Sequence, residues 1–163
     1  MANKGKYYES QFEEATIELL HESHWQYAFG DDIHRKYTDP LIEEDLRNFL
    51  AVQYKDKNLT TSEMDSIVAN LRNTGGQNDY YALRNAFLLY RDGYDFAYSD
   101  GRDNPFRLEY IDFEHPDHNI FRCVNQFVME QGRENRRPDI LLFINGIPVC
   151  IIELKNPTNQ NAT

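Results

Sequence analysis

Residues 137–155 read Arg137-Pro138-Asp139-Ile140-Leu141-Leu142-Phe143-Ile144-Asn145-Gly146-Ile147-Pro148-Val149-Cys150-Ile151-Ile152-Glu153-Leu154-Lys155, and this stretch decides the fold. Two apolar runs flank an Asn-Gly pair, and both residues of the pair accept the positive φ that a tight hairpin turn requires. The stretch therefore predicts two antiparallel strands, over 139–144 and 148–155. Apolar residues fill both faces of each run, which predicts a central pair covered on two sides. Into this setting the sequence puts Asp139, Glu153 and Lys155. Charges at the ends of core strands are costly to bury unless they meet partners or a metal ion.

Glu153 and Lys155 are two apart and leave the same face of their strand. A plain two-residue loop at Asn145-Gly146 pairs 144 with 147 and 139 with 152, sending Asp139 and Glu153 to opposite faces. A three-residue connection, or a turn carrying a bulge, restores the parity and brings the three groups together. The sequence favours the second kind, because Pro148 lacks a donor N–H and suits an irregular strand start. Two carboxylates and a lysine converging there suit phosphodiester hydrolysis. Asp139 and Glu153 are candidate ligands for Mg²⁺, a hard cation that takes one or two protein carboxylates. The Leu154 carbonyl is a further oxygen, and Lys155 would position the attacking water.

Pro138-Asp139, thirteen intervening residues and Glu153-Leu154-Lys155 resemble the PD-(D/E)xK nuclease motif. The wider wording, Arg-Pro-Asp-Ile, Asn-Gly-Ile-Pro and Ile-Glu-Leu-Lys-Asn-Pro, is similar to the N-terminal nuclease domain of the restriction (R) subunit of type I restriction enzymes. Asn119, Phe121, Asn125, Gln126 and Phe127 match a further segment of that family. The resemblance implies an α/β (α+β) fold with a restriction-endonuclease-like core, a mixed central sheet flanked by helices. It implies Mg²⁺-dependent cleavage of double-stranded DNA in a complex with modification and specificity subunits. It also implies a catalytic glutamate on the opening helix after an apolar residue, which Glu13 after Phe12 matches; a solvated helix-start carboxylate is the plainer reading. ATP would enter only through motor domains that this chain lacks, since no G-x-x-x-x-G-K-[ST] occurs in it. The expected organisation is a single N-terminal endonuclease domain over 1–163, ending before the rest of the nuclease core and the motor. A non-catalytic docking domain that keeps a nuclease-like core is the alternative.

The 163 residues carry a net charge of −10, which disfavours unaided binding to DNA, because autonomous binders show a basic face. Arg133, Arg136 and Arg137 form a small basic cluster, either phosphate contacts or solvated loop charges. The expectation is that DNA is delivered by a larger assembly. No run approaches the ~20 apolar residues of a membrane span, and the polar start is no secretory signal. Cytoplasm is the default location, with no membrane partner. Cys123 and Cys150 are both expected to be buried hydrophobes.

Periodicity predicts a first helix over 7–21 with a stripe of Phe12, Thr16, Ile17, Leu19 and Leu20. An extended piece follows at Trp25-Gln26-Tyr27 and a turn at Gly30-Asp31-Asp32. Asp39 as N-cap and Pro40 at the first position predict a second helix with Leu41, Leu46, Phe49, Leu50 and Val52 on its buried side. Thr60 and Glu63 form a capping box for a third helix through Met64, Ile67, Val68 and Leu71. A fourth runs over 79–91, with Tyr81, Leu83, Phe87 and Leu88 apolar and Gly93 at its end. The first ~93 residues thus read as one helical layer. Strands are expected at 94–98 and 106–113, with Asp112 ending the second, and a long strand at 119–130 antiparallel to 139–144. Gln126 reads as a core amide bonded to backbone or as a contact to DNA or metal-bound water. His115-x-x-His118 reads as a solvated loop pair more readily than as metal ligands, and His21 and His24 lack a cysteine partner for zinc.

Overall fold

The computed structural model describes residues 4–155. In chain order its main elements are α1 (Lys4–Glu22), β1 (Gln26–Phe29), α2 (Glu43–Gln53), α3 (Thr61–Arg72), α4 (Asp79–Asp92), β2 (Tyr94–Phe96), β3 (Phe106–Leu108), β4 (Phe121–Asn125), β5 (Met129–Gln131), β6 (Glu134–Arg136), β7 (Ile140–Ile144) and β8 (Ile147–Ile152). They form two compact units. One joins the chain up to Ile42 to the chain from Ile120 onward; the other is Glu43–Asn119. The single helical layer expected over the first ~93 residues is therefore divided, with α1 in one unit and α2–α4 in the other.

The discontinuous unit holds a mixed four-stranded sheet in the order β1-β4-β7-β8. β1 runs parallel to β4, while β4/β7 and β7/β8 are antiparallel. A mixed sheet together with four helices is compatible with the expected restriction-endonuclease-like core. Val124, Leu141 and Phe143 line one face and pack with Phe127 and Ile42, all essentially excluded from solvent. Each such side chain contributes about 1.5–3 kcal/mol by leaving water.

The Asn-Gly turn forms as read. Asn145 and Gly146 lie at φ 51° and 75°, the double positive φ of a type I′ turn. Asn145 is fully buried. Its Oδ1 accepts the Ile120 N–H at 2.7 Å and its own N–H donates to the Ile120 carbonyl at 2.8 Å, which fastens the turn to the entry of β4. The register then shifts: Phe143 faces Pro148 but Leu142 faces Cys150. Val149 is the extra residue, and the turn carries a bulge, the odd-parity connection that was expected.

Other expectations give way. β8 is an edge strand with Val149, Cys150 and Ile151 exposed, so the hairpin is not covered on two sides. Cys123 is buried but Cys150 is not. The long strand at 119–130 is broken at Gln126, whose φ is 56°, and its second half pairs as β5 with β6. Gly30 permits the break: a Cβ there would stand 2.5 Å from the Gln126 carbonyl oxygen and 2.9 Å from the Phe127 Cα. Arg35 holds the far side of the break, its guanidinium 3.4 Å over the Phe127 ring and donating to the Val128 and Asp39 carbonyls.

In the contiguous unit, Leu46, Phe49 and Leu50 of α2 and Ile67, Val68 and Leu71 of α3 are buried together with Phe96, Leu108 and Tyr110. α2 starts at Glu43 instead of Pro40, because the Asp39 carboxylate closes a turn by accepting the Leu41 N–H at 3.1 Å. Val52, expected inside, is 78% exposed. Tyr81, Leu83 and Phe87 of α4 are exposed as well. The capping box of α3 is complete, and Glu63 is buried within it against Arg102 at 2.6 Å. The Arg102 guanidinium and the Thr60 N–H hold the Glu63 carboxyl down at about 2. Among the described residues β2 and β3 pair only with each other, and both are shorter than the periodicity implied.

Candidate active site

The sheet brings the carboxyl ends of β1, β4 and β8 and the amino end of β7 to one edge, since Phe29, Asn125, Ile140 and Ile152 are successive register partners. One step beyond, Asp139 stands opposite Glu153. The bulge at Val149 is responsible: without it Asp139 would face Ile152. Extending the alternation of β7 and β8 one residue past their ends puts Asp139 and Glu153 on the Leu141 side of the sheet, with Lys155 beyond the strand.

Asp139 is half-buried, and its Oδ2 accepts the Leu154 backbone N–H at 2.7 Å. The residue between Glu153 and Lys155 is thereby tied to the start of β7. Glu153 and Lys155 are exposed, so the burial cost inferred from the sequence applies to Asp139 and not to them. Among the described residues Asp139 and Glu153 offer carboxylate oxygens with no thiolate or imidazole beside them in the motif, a donor chemistry that fits a hard divalent cation such as Mg²⁺.

Glu13 reaches the same edge from α1. It lies on the half-buried side of that helix with Thr16, Ile17 and Leu20, while Phe12 and Leu19 are exposed. The inward stripe is thus rotated by one residue from the expected one. Glu13 Oε1 accepts the Asn125 amide at 2.8 Å and the Gln126 amide at 3.5 Å. The Tyr27 hydroxyl donates to Asn125 Oδ1 at 3.0 Å. Burial, and then the Glu13 charge, push the Tyr27 phenol above its ordinary value. A cleft of about 440 Å³ opens here, lined by Glu13, Glu14, Glu18, Tyr27 and Asn125 among others.

The structure therefore joins Asp139 directly to the Glu153–Lys155 segment and joins Glu13 to the end of β4. By alternation Asn125 leaves the sheet on the face opposite Asp139, so Glu13 approaches the edge from the other side. Tyr27 and Asn125 had no assigned role in the sequence reading; a polar pair ending an otherwise apolar strand was the available signal. Arg133, Arg136 and Arg137 are exposed around the β5–β6 hairpin, with Arg136 3.7 Å from Glu134. Asn156 and Pro157 of the quoted wording lie outside the described residues.

The family model "Type I restriction enzyme R protein N terminus (HSDR_N)" matches residues 6–163. The chain belongs to this family. Among curated relatives of this R-protein family, the type I restriction enzyme HindI endonuclease subunit of Haemophilus influenzae is 29% identical over 164 residues, covering 94% of the chain and 15% of the relative. The putative type I restriction enzyme MjaIXP endonuclease subunit of Methanocaldococcus jannaschii is 30% identical over 159 residues, covering 92% of the chain and 15% of the relative. The chain spans about 15% of the length of these two R-protein relatives. No solved structure matches it. Among the described residues, no helix is long and apolar enough to cross a membrane.

Proposed function

We propose that this chain is the DNA-cleaving part of a type I restriction enzyme R protein, hydrolysing phosphodiester bonds of double-stranded DNA with Mg²⁺. The carrying observation is the register across β7 and β8, which sets Asp139 opposite Glu153 and fastens Asp139 to Leu154. Asp139 and Glu153 would hold the ion, with the Leu154 carbonyl as a further oxygen. When bound, Mg²⁺ lowers the pKa of a coordinated water and stabilises charge on the phosphate.

The protein groups have separate tasks. The Leu154 N–H fixes the direction of the Asp139 carboxylate, so one oxygen is oriented before substrate arrives. Lys155 orients the attacking water and adds positive charge beside the phosphate. Glu13, clamped by Asn125, sets a third carboxylate at the edge of the sheet and assists the same centre from the opposite face.

The net charge of −10 and the acidic cleft on α1 suit an enzyme to which DNA is brought by modification and specificity subunits in the cytoplasm. ATP would act through motor segments of the longer R protein. The test is DNA cleavage by the assembled complex carrying Asp139→Ala, Glu153→Ala or Lys155→Ala. Loss of cutting with assembly intact is the expected result. Unchanged cutting overturns the proposal, and cutting lost together with assembly favours the docking alternative.

A further inference from the structure

The loop between β3 and β4 gathers three metal-ligand side chains that the nuclease reading does not use. The ligand atoms of Asp112, His115 and His118 all lie within 4.8 Å of one another. His118 Nδ1 is 3.0 Å from Asp112 Oδ2 and His115 Nδ1 is 3.7 Å from Oδ1. The two imidazoles stack at 4.9 Å with an interplanar angle of 16°, presenting the same ring edge to one carboxylate.

The carboxylate is fixed from behind. Oδ1 accepts the Glu114 and His115 N–H groups at 3.1 and 2.8 Å, and Gln53 donates to Oδ2 at 3.0 Å. Asn119 closes the loop on both sides, accepting the Asp112 N–H at 2.9 Å and donating to the Asp112 carbonyl at 2.7 Å. Asp112 is buried while both histidines are exposed. The result is a braced acid at the base of a loop with two imidazoles standing over it, open to solvent.

We propose that Asp112, His115 and His118 form a site for a borderline divalent cation of the Zn²⁺ class, separate from the candidate nuclease centre. Ligands about 2.0–2.1 Å from a tetrahedral ion sit roughly 3.3–3.4 Å apart; the imidazole nitrogens lie 3.0 Å from Oδ2 and 3.7 Å from Oδ1 and all ligand atoms lie within 4.8 Å of one another, so an ion would draw the exposed histidines in around one carboxylate oxygen. Two imidazoles and one carboxylate select Zn²⁺, Co²⁺ or Ni²⁺ over Mg²⁺. Three protein ligands leave a fourth position for water. Gln53 acts as the outer partner that orients the ligating carboxylate.

The experiment is calorimetric titration of the tag-free chain with ZnCl₂, with Co²⁺ absorption as a second readout of tetrahedral coordination. Expected is ~1 equivalent bound, an intense visible Co²⁺ band, and an isotherm unchanged by excess Mg²⁺. His118→Ala and His115→Ala should each weaken binding more than ~100-fold, and Gln53→Ala about 10-fold. Both histidines are exposed, so these variants keep the fold, which circular dichroism checks. Asp139→Ala and the double variant His21→Ala/His24→Ala should bind Zn²⁺ as the parent does. Absence of saturable Zn²⁺ binding, or equal binding by His118→Ala, overturns the site; loss of binding in the His21/His24 variant would place the ion elsewhere.

Discussion

Gly30 and Gln126 touch so closely that a methyl group has no room between them: a Cβ on Gly30 would lie 2.5 Å from the Gln126 carbonyl oxygen. The contact lets the chain leave β4 with a positive φ at Gln126, directly after the asparagine that holds Glu13. Gly30→Ala must push backbone, not a flexible side chain. The expected cost is about 1–3 kcal/mol in urea unfolding, with cleavage reduced in the assembled complex. An alanine variant as stable and active as the parent would show that the break in the strand has another cause.

Asp139 has a structural task and a proposed chemical one, and two substitutions separate them. Asp139→Ala removes the acceptor for the Leu154 N–H and should cost about 1.5–3 kcal/mol, toward the lower end for a half-buried bond. Asp139→Asn keeps an acceptor oxygen and should unfold close to the parent midpoint. Both should lower cleavage about 100-fold or more, because both remove the charge aimed at the reacting centre. Full activity in Asp139→Asn would contradict the assigned role.

Deleting Val149 removes the unpaired residue of the bulge and leaves a plain hairpin in which Phe143 still faces Pro148, Leu142 still faces Cys150 and, by the same register, Asp139 still faces Glu153. The expected outcome is a folded chain by circular dichroism that keeps calorimetric Mg²⁺ or Mn²⁺ binding. Loss of binding in the folded deletion variant would show that the ion needs more than Asp139 and Glu153 sharing a face.

The ion pair between buried Glu63 and exposed Arg102 makes the contiguous unit sensitive to acid. Folded Glu63 titrates at about 2 against an ordinary 4.5, so the unfolded chain takes up the proton first as pH falls. The stability it supplies is complete above about 4.5 and is lost as pH drops through 2. Glu63→Gln should show a shallower fall in urea midpoint across that window. Parallel curves for parent and variant would reject the linkage.

Thr60→Ala removes one half of the capping box on α3 and should destabilise the protein by about 1 kcal/mol. Thr60→Ser should recover most of it, since the serine hydroxyl accepts the same Glu63 N–H. Failure of serine to rescue would point to the threonine methyl group instead.

The features legible in the sequence are those whose cause is local. Asn145-Gly146 announces its turn, Thr60 and Glu63 announce their cap, and the turn followed by Pro148 signalled an irregular register that appears as the bulge at Val149. What escaped depends on residues distant in the chain. Nothing in Gln126 itself indicates a left-handed conformation; the reason lies at Gly30. Cys150, Val149 and Ile151 look like core residues by type, and their exposure follows only from β8 standing at the edge of the sheet. Phe12 took the place of Glu13 on the inner stripe of α1 because periodicity favours the apolar neighbour, whereas the actual inner partner is a polar pair at the end of β4. The family likeness marked Asp139, Glu153 and Lys155, but the bond that orients Asp139 comes from a backbone group that no motif records.

The parallel pairing of β1 with β4 requires the ribosome to deliver the whole Glu43–Asn119 unit before the first strand finds its neighbour. The inserted unit is one continuous stretch, Glu43–Asn119, and can mature early during synthesis. The discontinuous unit must wait, and loop closure over so long a span is slow. The Asp139–Leu154 bond forms only once Leu154 has been made, so a nascent chain stalled before that residue carries no assembled acidic edge.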